Sequence, residues 1–377
     1  MGKSTKLAYG CSAFIIVPLA IIMSALYTDY LKRFGVYNYI DQYVDNNGNQ
    51  PLMGIGPVLT NTNEFGVMLD DISDLTGKVI LITGANSGLG KSTAFHLAGK
   101  GATVILGCRT ITKAQATMKE IRTTYPDALL EALVLDLGSF QSIRAGADHF
   151  LARHNELHSL ILNAAVGVKP FSLTEDGIEE QFGVNHVGHF LLTKLLLPVV
   201  EATSTVEKPA TIVVVTSMAH FTSYGIGVHT SLNDINDESA YNSFLAYGQS
   251  KLANLLFAQE LAVRVKNGVL VNSIHPGGVK TNLAKHIEAS LRNSVPVPFK
   301  NYVANKFNDF LSLICWHPDI ASLTILHASV GPNLIESKIS GGYFHPIGRR
   351  NKPCAVHGGN TTLQHELWEF SEKLISN

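Results

Sequence analysis

The sequence predicts a doubly wound α/β fold, an open parallel sheet with helices on both faces. Three observations carry this expectation. Short runs rich in Val, Ile and Leu recur from residue 79 onward, continuous in apolar residues rather than alternating, as strands buried on both faces are. Longer stretches with helical periodicity separate them. The first run ends in a glycine-rich turn, Thr83-Gly84-Ala85-Asn86-Ser87-Gly88-Leu89-Gly90. Right-handed crossovers between successive strands then put helices on both sides of the sheet.

At the N-terminus, residues 1–35 read as a hydrophobic anchor. From Leu7 to Tyr27 there is no charged residue. As a helix this run spans about 31 Å, against a bilayer core of about 30 Å. It is long for a cleaved signal peptide, and no A-x-A site follows it. Lys3 and Lys6 precede the run and Lys32 and Arg33 follow it, so the positive-inside rule leaves orientation open. Met1-Gly2 does not extend to a myristoylation motif, because position 6 is Lys6. Residues 36–74, with Asp45-Asn46-Asn47-Gly48-Asn49, Pro51 and Pro57, read as a linker or wrapping segment. Residues 75–377 read as one dinucleotide-binding catalytic domain.

The strand-like runs are Val79–Thr83, Thr103–Cys108, Leu129–Leu135, Ser159–Asn163, Thr211–Thr216, Leu270–His275 and Gly342–His345. Helical segments include Gly90–Gly99, Thr112–Thr124, Ser139–Arg153 and the long Leu245–Val265. Net charge is −1, with no dense basic stretch, so nothing points to nucleic acid. Cys11, Cys108, Cys315 and Cys354 show no paired spacing, which argues against a disulfide framework or a zinc site.

The turn Thr83–Gly90 offers Gly84, Gly88 and Gly90 for tight bending and close backbone approach, and Asn86, Ser87 and Leu89 lead into the following helix. The helix start supplies N–H groups and a positive dipole end for a pyrophosphate. The glycine spacing alone is weak evidence; its place after the first strand of a βαβ series gives it weight. The second strand ends at Gly107-Cys108-Arg109. An NAD site puts an acid near this position, whereas Arg109 suits a 2′-phosphate and favours NADP(H) over NAD(H). Asp136 ends the third strand, where it can accept from the adenine amine. Asn163 and Ala164 end the fourth, leaving room for backbone to approach the cofactor.

Tyr247 and Lys251 stand at i and i+4 on one helix face. The YxxxK spacing is common by chance; its setting, on the helix after a strand ending near Ser217, is informative. Carbonyl reduction needs hydride from a nicotinamide and a proton for the developing alkoxide. A free tyrosine holds its proton too tightly at neutral pH, and a nearby ammonium lowers that affinity. Ser217 can hold the substrate oxygen, and Asn185 can extend a proton chain through water.

From about Leu75 onward the chain resembles the short-chain dehydrogenase/reductase family, a Rossmann-fold family. The matches are Thr83–Gly90, Asn163-Ala164-Ala165, Asn185, Ser217, Tyr247/Lys251 and Pro276-Gly277. The resemblance implies Tyr247 as proton donor and acceptor, Lys251 as its modulator and holder of the nicotinamide ribose, Ser217 as substrate orienter and Asn185 as helper. It also implies contact between Pro276, Gly277 and Thr281 and the nicotinamide end. Asn185-His186-Val187-Gly188-His189-Phe190, Ser250-Lys251-Leu252-Ala253-Asn254 and His275-Pro276-Gly277 are similar to the retinol dehydrogenase and WW-domain oxidoreductase branch, although no WW domain is present. Two features depart from the family: Leu162 replaces the first Asn of the usual Asn-Asn-Ala-Gly, whose Gly is Ala165 here, and an insertion, His220–Ala240, separates Ser217 from Tyr247.

His186 and His189 at i, i+3 do not make a metal site, because no third ligand is evident. His275 reads as structural, and Asn360-Thr361-Thr362 is a glycosylation sequon by pattern alone. Residues 282–319, with Leu283, Ile287, Phe307 and Trp316 among their apolar side chains, read either as ordinary core or as an apolar lid over a pocket. The expected activity is interconversion of an alcohol and its carbonyl on a retinoid-, steroid- or lipid-like substrate. The anchor places the chain on the endoplasmic reticulum or another endomembrane, with its side open, and a homodimer is also open. Two other readings are C=C reduction of the protochlorophyllide reductase type and a non-catalytic NADP-binding adaptor.

Overall fold

A parallel sheet is closed on both faces because its strands carry apolar side chains on both sides. The computed structural model describes residues 68–279, 301, 316–353 and 356–376. The N-terminal apolar run, the expected wrapping segment up to residue 67, Thr281 and all but one residue of 282–315 lie outside them.

The chain runs β1 (Val79–Thr83), α1 (Gly88–Gly99), β2 (Thr103–Cys108), α2 (Ile111–Thr124), β3 (Leu130–Val134), α3 (Phe140–Leu151) and β4 (Ser159–Leu162). After α4 (Glu180–Thr203) come β5 (Thr211–Val215), the short α5 (Leu232–Ile235), α6 (Ser243–Arg264) and β6 (Leu270–Ile274). Then follow α7 (Pro318–Val330), α8 (Pro332–Glu336), β7 (Tyr343–His345), β8 (Arg349–Asn351) and α9 (Thr361–Ser376). The sheet order is β3-β2-β1-β4-β5-β6-β7-β8. All neighbours pair in parallel except β7 and β8, which are antiparallel. The order reverses between β1 and β4, and a crevice opens at the carboxyl ends of strands at such a point.

Side chains alternate across the strands, so each strand feeds two cores. In β1, Ile80 and Ile82 pack with Leu97 of α1, Ile121 of α2 and Ile325 of α7. Leu81 points the other way, into a core with Phe150 of α3, Phe190 of α4 and Leu261 of α6. Ile72 and Leu75, ahead of β1, are buried in the first core, so the chain is fastened to the sheet before the first strand begins.

Helix α4 has a mean hydropathy of 1.2 over its most apolar stretch, enough to pass as a membrane span, yet 78% of that stretch is buried within the protein. Its apolarity is that of a core helix. Trp368 of α9 packs edge-on against Phe190 at 4.9 Å, and Ser371 bonds His186 at 2.8 Å. The C-terminal helix thereby closes the seam between α4 and α6. At Gly188, where α4 passes the end of β3, a Cβ would lie 2.3 Å from the Leu137 carbonyl oxygen. Gly188→Ala should therefore destabilise the fold by about 1–3 kcal/mol, measured as a lower urea midpoint with unchanged slope.

Candidate active site

Two glycines of the turn after β1 are required by conformation: Gly84 has φ +68° and Gly88 has φ +52°. Gly90 is required by packing, since a Cβ there would lie 2.5 Å from both Asn163 Nδ2 and the Gly84 oxygen. Ser87 precedes α1 without a side-chain capping bond. The first N–H groups of the helix thus lack a side-chain cap at the mouth of the crevice, where an anion can take them.

The hydroxyl of Thr83 ties this turn to the neighbouring strand. It accepts from the N–H groups of Asn163 and Ala164, both at 2.9 Å, and lies 2.8 Å from His189 Nε2. With both lone pairs occupied, it donates to the imidazole. His189 Nδ1 in turn donates to the Asn185 carbonyl at 2.9 Å, which fixes its tautomer. Asn163 Nδ2 donates to the Thr83 carbonyl at 2.9 Å. The ends of β1 and β4 and the start of α4 thus form one hydrogen-bonded block.

Arg109 lies just past β2 and pairs with Asp136, just past β3, at 3.3 Å. The other carboxylate oxygen of Asp136 accepts from the Gly138 N–H at 3.0 Å. Asn185 falls in a π turn, Gly183–Val187, within α4, a distortion frequent at functional sites. Its side chain accepts from the Val166 N–H at 2.8 Å and donates to the Val166 carbonyl at 2.8 Å and to Ser250 Oγ at 2.9 Å. It binds the segment after β4 to α6.

Helix α6 starts at Asn242, whose side chain accepts from the N–H groups of Phe244 and Leu245. One turn later Tyr247 comes near Ser217, whose side chain acts on the phenol. Lys251 follows on the same face, its Nζ 5.8 Å from the centre of the Tyr247 ring. The ammonium is buried and donates to the Val215 carbonyl at 3.1 Å, where β5 ends. Burial pushes the Tyr247 phenol above its ordinary value, partly offset by the Ser217 side chain. Burial lowers Lys251 to about 7. Past β6, Gly277 has φ +85°, and a Cβ there would lie 2.7 Å from Trp316. Ser217, Tyr247 and Lys251 therefore meet at one place, with Pro276-Gly277 on the adjoining strand end; Thr281 lies outside the described residues.

The His220–Ala240 insertion folds as a 3-10 turn, Met218–Thr222, the short α5, and a second turn, Glu238–Ala240. Within it, Asn236 accepts from the Glu179 N–H at 2.9 Å, and just after it Tyr241 donates to Glu179 at 3.3 Å. Sequence reasoning missed three polar residues at the site. In the sequence His189 stands out only within the Asn185–Phe190 motif and as a rejected metal ligand, Ser250 only within a motif, and His220 only as the edge of an insertion. A histidine four residues after Asn185 on one helix face was the signal available for the first.

The chain from residue 78 to 229 matches the family model for short chain dehydrogenases. It is 39% identical over 302 residues to retinol dehydrogenase 11 of Homo sapiens, covering 80% of this chain and 86% of the relative. The chain belongs to the short-chain dehydrogenase/reductase family. Retinol dehydrogenase 13 of Homo sapiens is 35% identical over 303 residues, covering 80% and 85% of the two chains. A crystal structure of an uncharacterized protein from Mycobacterium paratuberculosis is 31% identical with a TM-score of 0.60, covering 83% of this chain and 98% of its own. The protein is thus an oxidoreductase of the kind that acts on CH–OH groups with a nicotinamide dinucleotide.

Two outcomes follow from this geometry. Thr83→Val keeps shape but removes the shared hydroxyl, and should cost about 1–3 kcal/mol for each group it strands, read by denaturant unfolding. For Lys251, the unfolded chain keeps its proton up to the ordinary 10.5, whereas the folded chain releases it near 7. Folding therefore expels a proton across that window, and stability rises with pH through it. Lys251→Met should be more stable than the parent at pH 6, with the difference shrinking between pH 7 and 10; a constant difference would contradict the assignment.

Proposed function

We propose that this protein is an NADP(H)-dependent oxidoreductase that interconverts a lipophilic alcohol and its aldehyde or ketone, with Tyr247 as general acid and base. The observation that carries the reading is the Lys251 ammonium 5.8 Å from the centre of the Tyr247 ring on one helix face, with Ser217 near enough to the phenol to favour its charged form. NADP(H), when bound, would supply or take up the hydride. In reduction the Tyr247 phenol gives its proton to the carbonyl oxygen as the C–H bond forms; in oxidation the phenolate takes the proton from the alcohol. Ser217 holds the substrate oxygen. Lys251, while charged, stabilises the phenolate that burial alone disfavours, and holds the ribose of the nicotinamide. Asn185 keeps α6 in register with the segment after β4, and through it supports the proton path.

The residues fit a dinucleotide. The side-chain-uncapped start of α1 and the left-handed Gly84 and Gly88 make a cradle for the pyrophosphate, with Thr83, Asn86, Ser87, Leu89 and Gly90 forming its frame. Asn163 and Ala164 border it; Asp136 would face the adenine, and Pro276 and Gly277 the nicotinamide, where the family resemblance also implies Thr281, which lies outside the described residues. Arg109 would take the 2′-phosphate of NADP. Its pair with Asp136 is no obstacle: both side chains are partly exposed, 52% and 31%, and such pairs are worth about 0–1 kcal/mol. A charge-assisted contact to phosphate is worth about 1.5–3 kcal/mol, so the phosphate wins the arginine.

The relatives named retinol dehydrogenase support a retinoid-like or other lipophilic substrate, and an N-terminal helix at residues 1–35 would hold the enzyme on an endomembrane where such substrates dissolve. Reduction of retinal, long-chain enals and ketosteroids, followed with NADPH and NADH in parallel, tests the reading. Tyr247→Phe should lower kcat by about 10²–10⁴-fold, and Arg109→Ala should erase the preference for NADPH. Full turnover by Tyr247→Phe would sink the assignment.

A further inference from the structure

Beyond the β5–β6 ladder, the peptide that joins Ser217 to Met218 has no strand partner. The last ladder-like bond is from the Thr216 N–H to the Ile274 carbonyl at 2.8 Å. Two imidazoles take over from there. His220 Nδ1 lies 2.6 Å from the Ser217 carbonyl oxygen. On the other side, the Met218 N–H donates to His275 Nδ1 at 3.1 Å, and the Gly277 N–H reaches the same nitrogen at 3.4 Å. Both rings are buried, at 0% and 3% exposure. They come from different elements, His220 from the turn after β5 and His275 from the end of β6.

We propose that His220 and His275 are positioning residues that clamp the Ser217–Met218 peptide from its two polar ends, and so aim the Ser217 hydroxyl at the reacting oxygen. The hydrogen bonds dictate opposite tautomers. A carbonyl oxygen only accepts, so His220 carries its proton on Nδ1. An N–H only donates, so His275 keeps a lone pair on Nδ1 and carries its proton on Nε2. An imidazolium at His275 would present a proton to two donors and release the clamp.

The surroundings keep both rings neutral. Among the described residues, the titratable groups packed around them include one another, His345 and Tyr343: the His275 and His345 rings are 5.6 Å apart, His220 and Tyr343 5.4 Å, and Tyr343 and His345 5.0 Å. Burial lowers His220 to about 4 and His345 to about 4, and burial together with both neighbouring imidazoles holds His275 well below the usual histidine range. The Gly277 bond gives the clamp a second use, because the same Nδ1 that holds the serine turn holds Pro276-Gly277. One ring thereby couples the proposed substrate-orienting loop to the proposed nicotinamide loop.

The inference rests on the role proposed for Ser217, and the experiment separates the two. Kinetics of retinal reduction by the full-length chain are compared for His275→Leu, His275→Asn, His220→Leu and His220→Asn, with NADPH affinity measured by fluorescence. Asn places an amide near the lost Nδ1, able to accept for His275 or donate for His220; Leu fills space only. The Leu variants should lose about tenfold to a hundredfold in kcat, with NADPH affinity nearly unchanged, and the Asn variants should recover most of the loss. Asn variants as poor as the Leu variants, or kcat falling only in step with NADPH affinity, would overturn the clamp. Nitrogen-15 imidazole spectra of the parent chain at pH 7.5 give a readout independent of turnover: His220 must be protonated at Nδ1 and His275 at Nε2. The reverse tautomer or an imidazolium at either ring overturns the proposal, even if the variants fail to fold. Undiminished turnover by Tyr247→Phe would instead strike the proposed function and leave the tautomers standing.

Discussion

Lys251 carries an ammonium into the protein interior, where it donates to the Val215 carbonyl at the end of β5. A buried charge is costly unless it is bonded and its surroundings are fixed. The surrounding architecture fixes the ammonium in place but leaves part of that cost standing, since burial still lowers Lys251 to about 7. Strand β5 is central in the sheet, paired on both sides by β4 and β6, so the accepting carbonyl cannot drift. Helix α6 is held by its Asn242 cap, by the Asn185–Ser250 bond and by the apolar contacts of Leu252, Leu255 and Leu256. The same constraints that hold the lysine also hold Tyr247 one turn earlier, so a single piece of packing sets both residues.

The block around Thr83 does for the glycine turn what the Lys251 bond does for the start of α6. Its hydroxyl spends one donor and two acceptor positions on three partners from two other elements. A side chain with a single oxygen thereby fixes the glycine turn relative to β4 and, through His189, relative to the Asn185 carbonyl. In a crevice built from loops, such cross-links replace the rigidity that the ladder gives the strands. They also explain why small residues recur there: Gly84 lies so close to Ala164 that a Cβ would sit 2.9 Å from its Cα.

Much of this was legible in the sequence. Seven strands were visible as apolar runs, and β1 and β2 fall at the expected bounds. Strand β8 was not visible: Arg349-Arg350-Asn351 has no apolar residue and takes its conformation from pairing with β7. The π turn around Asn185 was equally hidden, since one extra residue per turn leaves no mark on a short apolar pattern. The candidate residues Ser217, Tyr247 and Lys251 stood out because a YxxxK spacing falls on the helix that follows a strand ending near Ser217. The ion pair between Arg109 and Asp136 was not, because each was read against the cofactor alone and not against the other.

The histidines show the limit most clearly. Fifteen of them in a chain of this size invite thoughts of metal or acid–base chemistry, and sequence offers no means to separate those roles. Among the described residues burial decides for eight: His96, His158, His186, His189, His220, His275, His327 and His345 are all held below the ordinary histidine range, with desolvation the largest cause in each. A neutral imidazole has one donor and one acceptor on opposite sides of a rigid ring, so it can bridge two polar groups that face each other but belong to different elements. His189 joins the Thr83 hydroxyl to the Asn185 carbonyl in this way. Where parallel strands end, the backbone has left its ladder but is still too buried for water. Imidazole is long enough to reach across that gap, and at neutral pH burial there removes the charge that would spoil the fit.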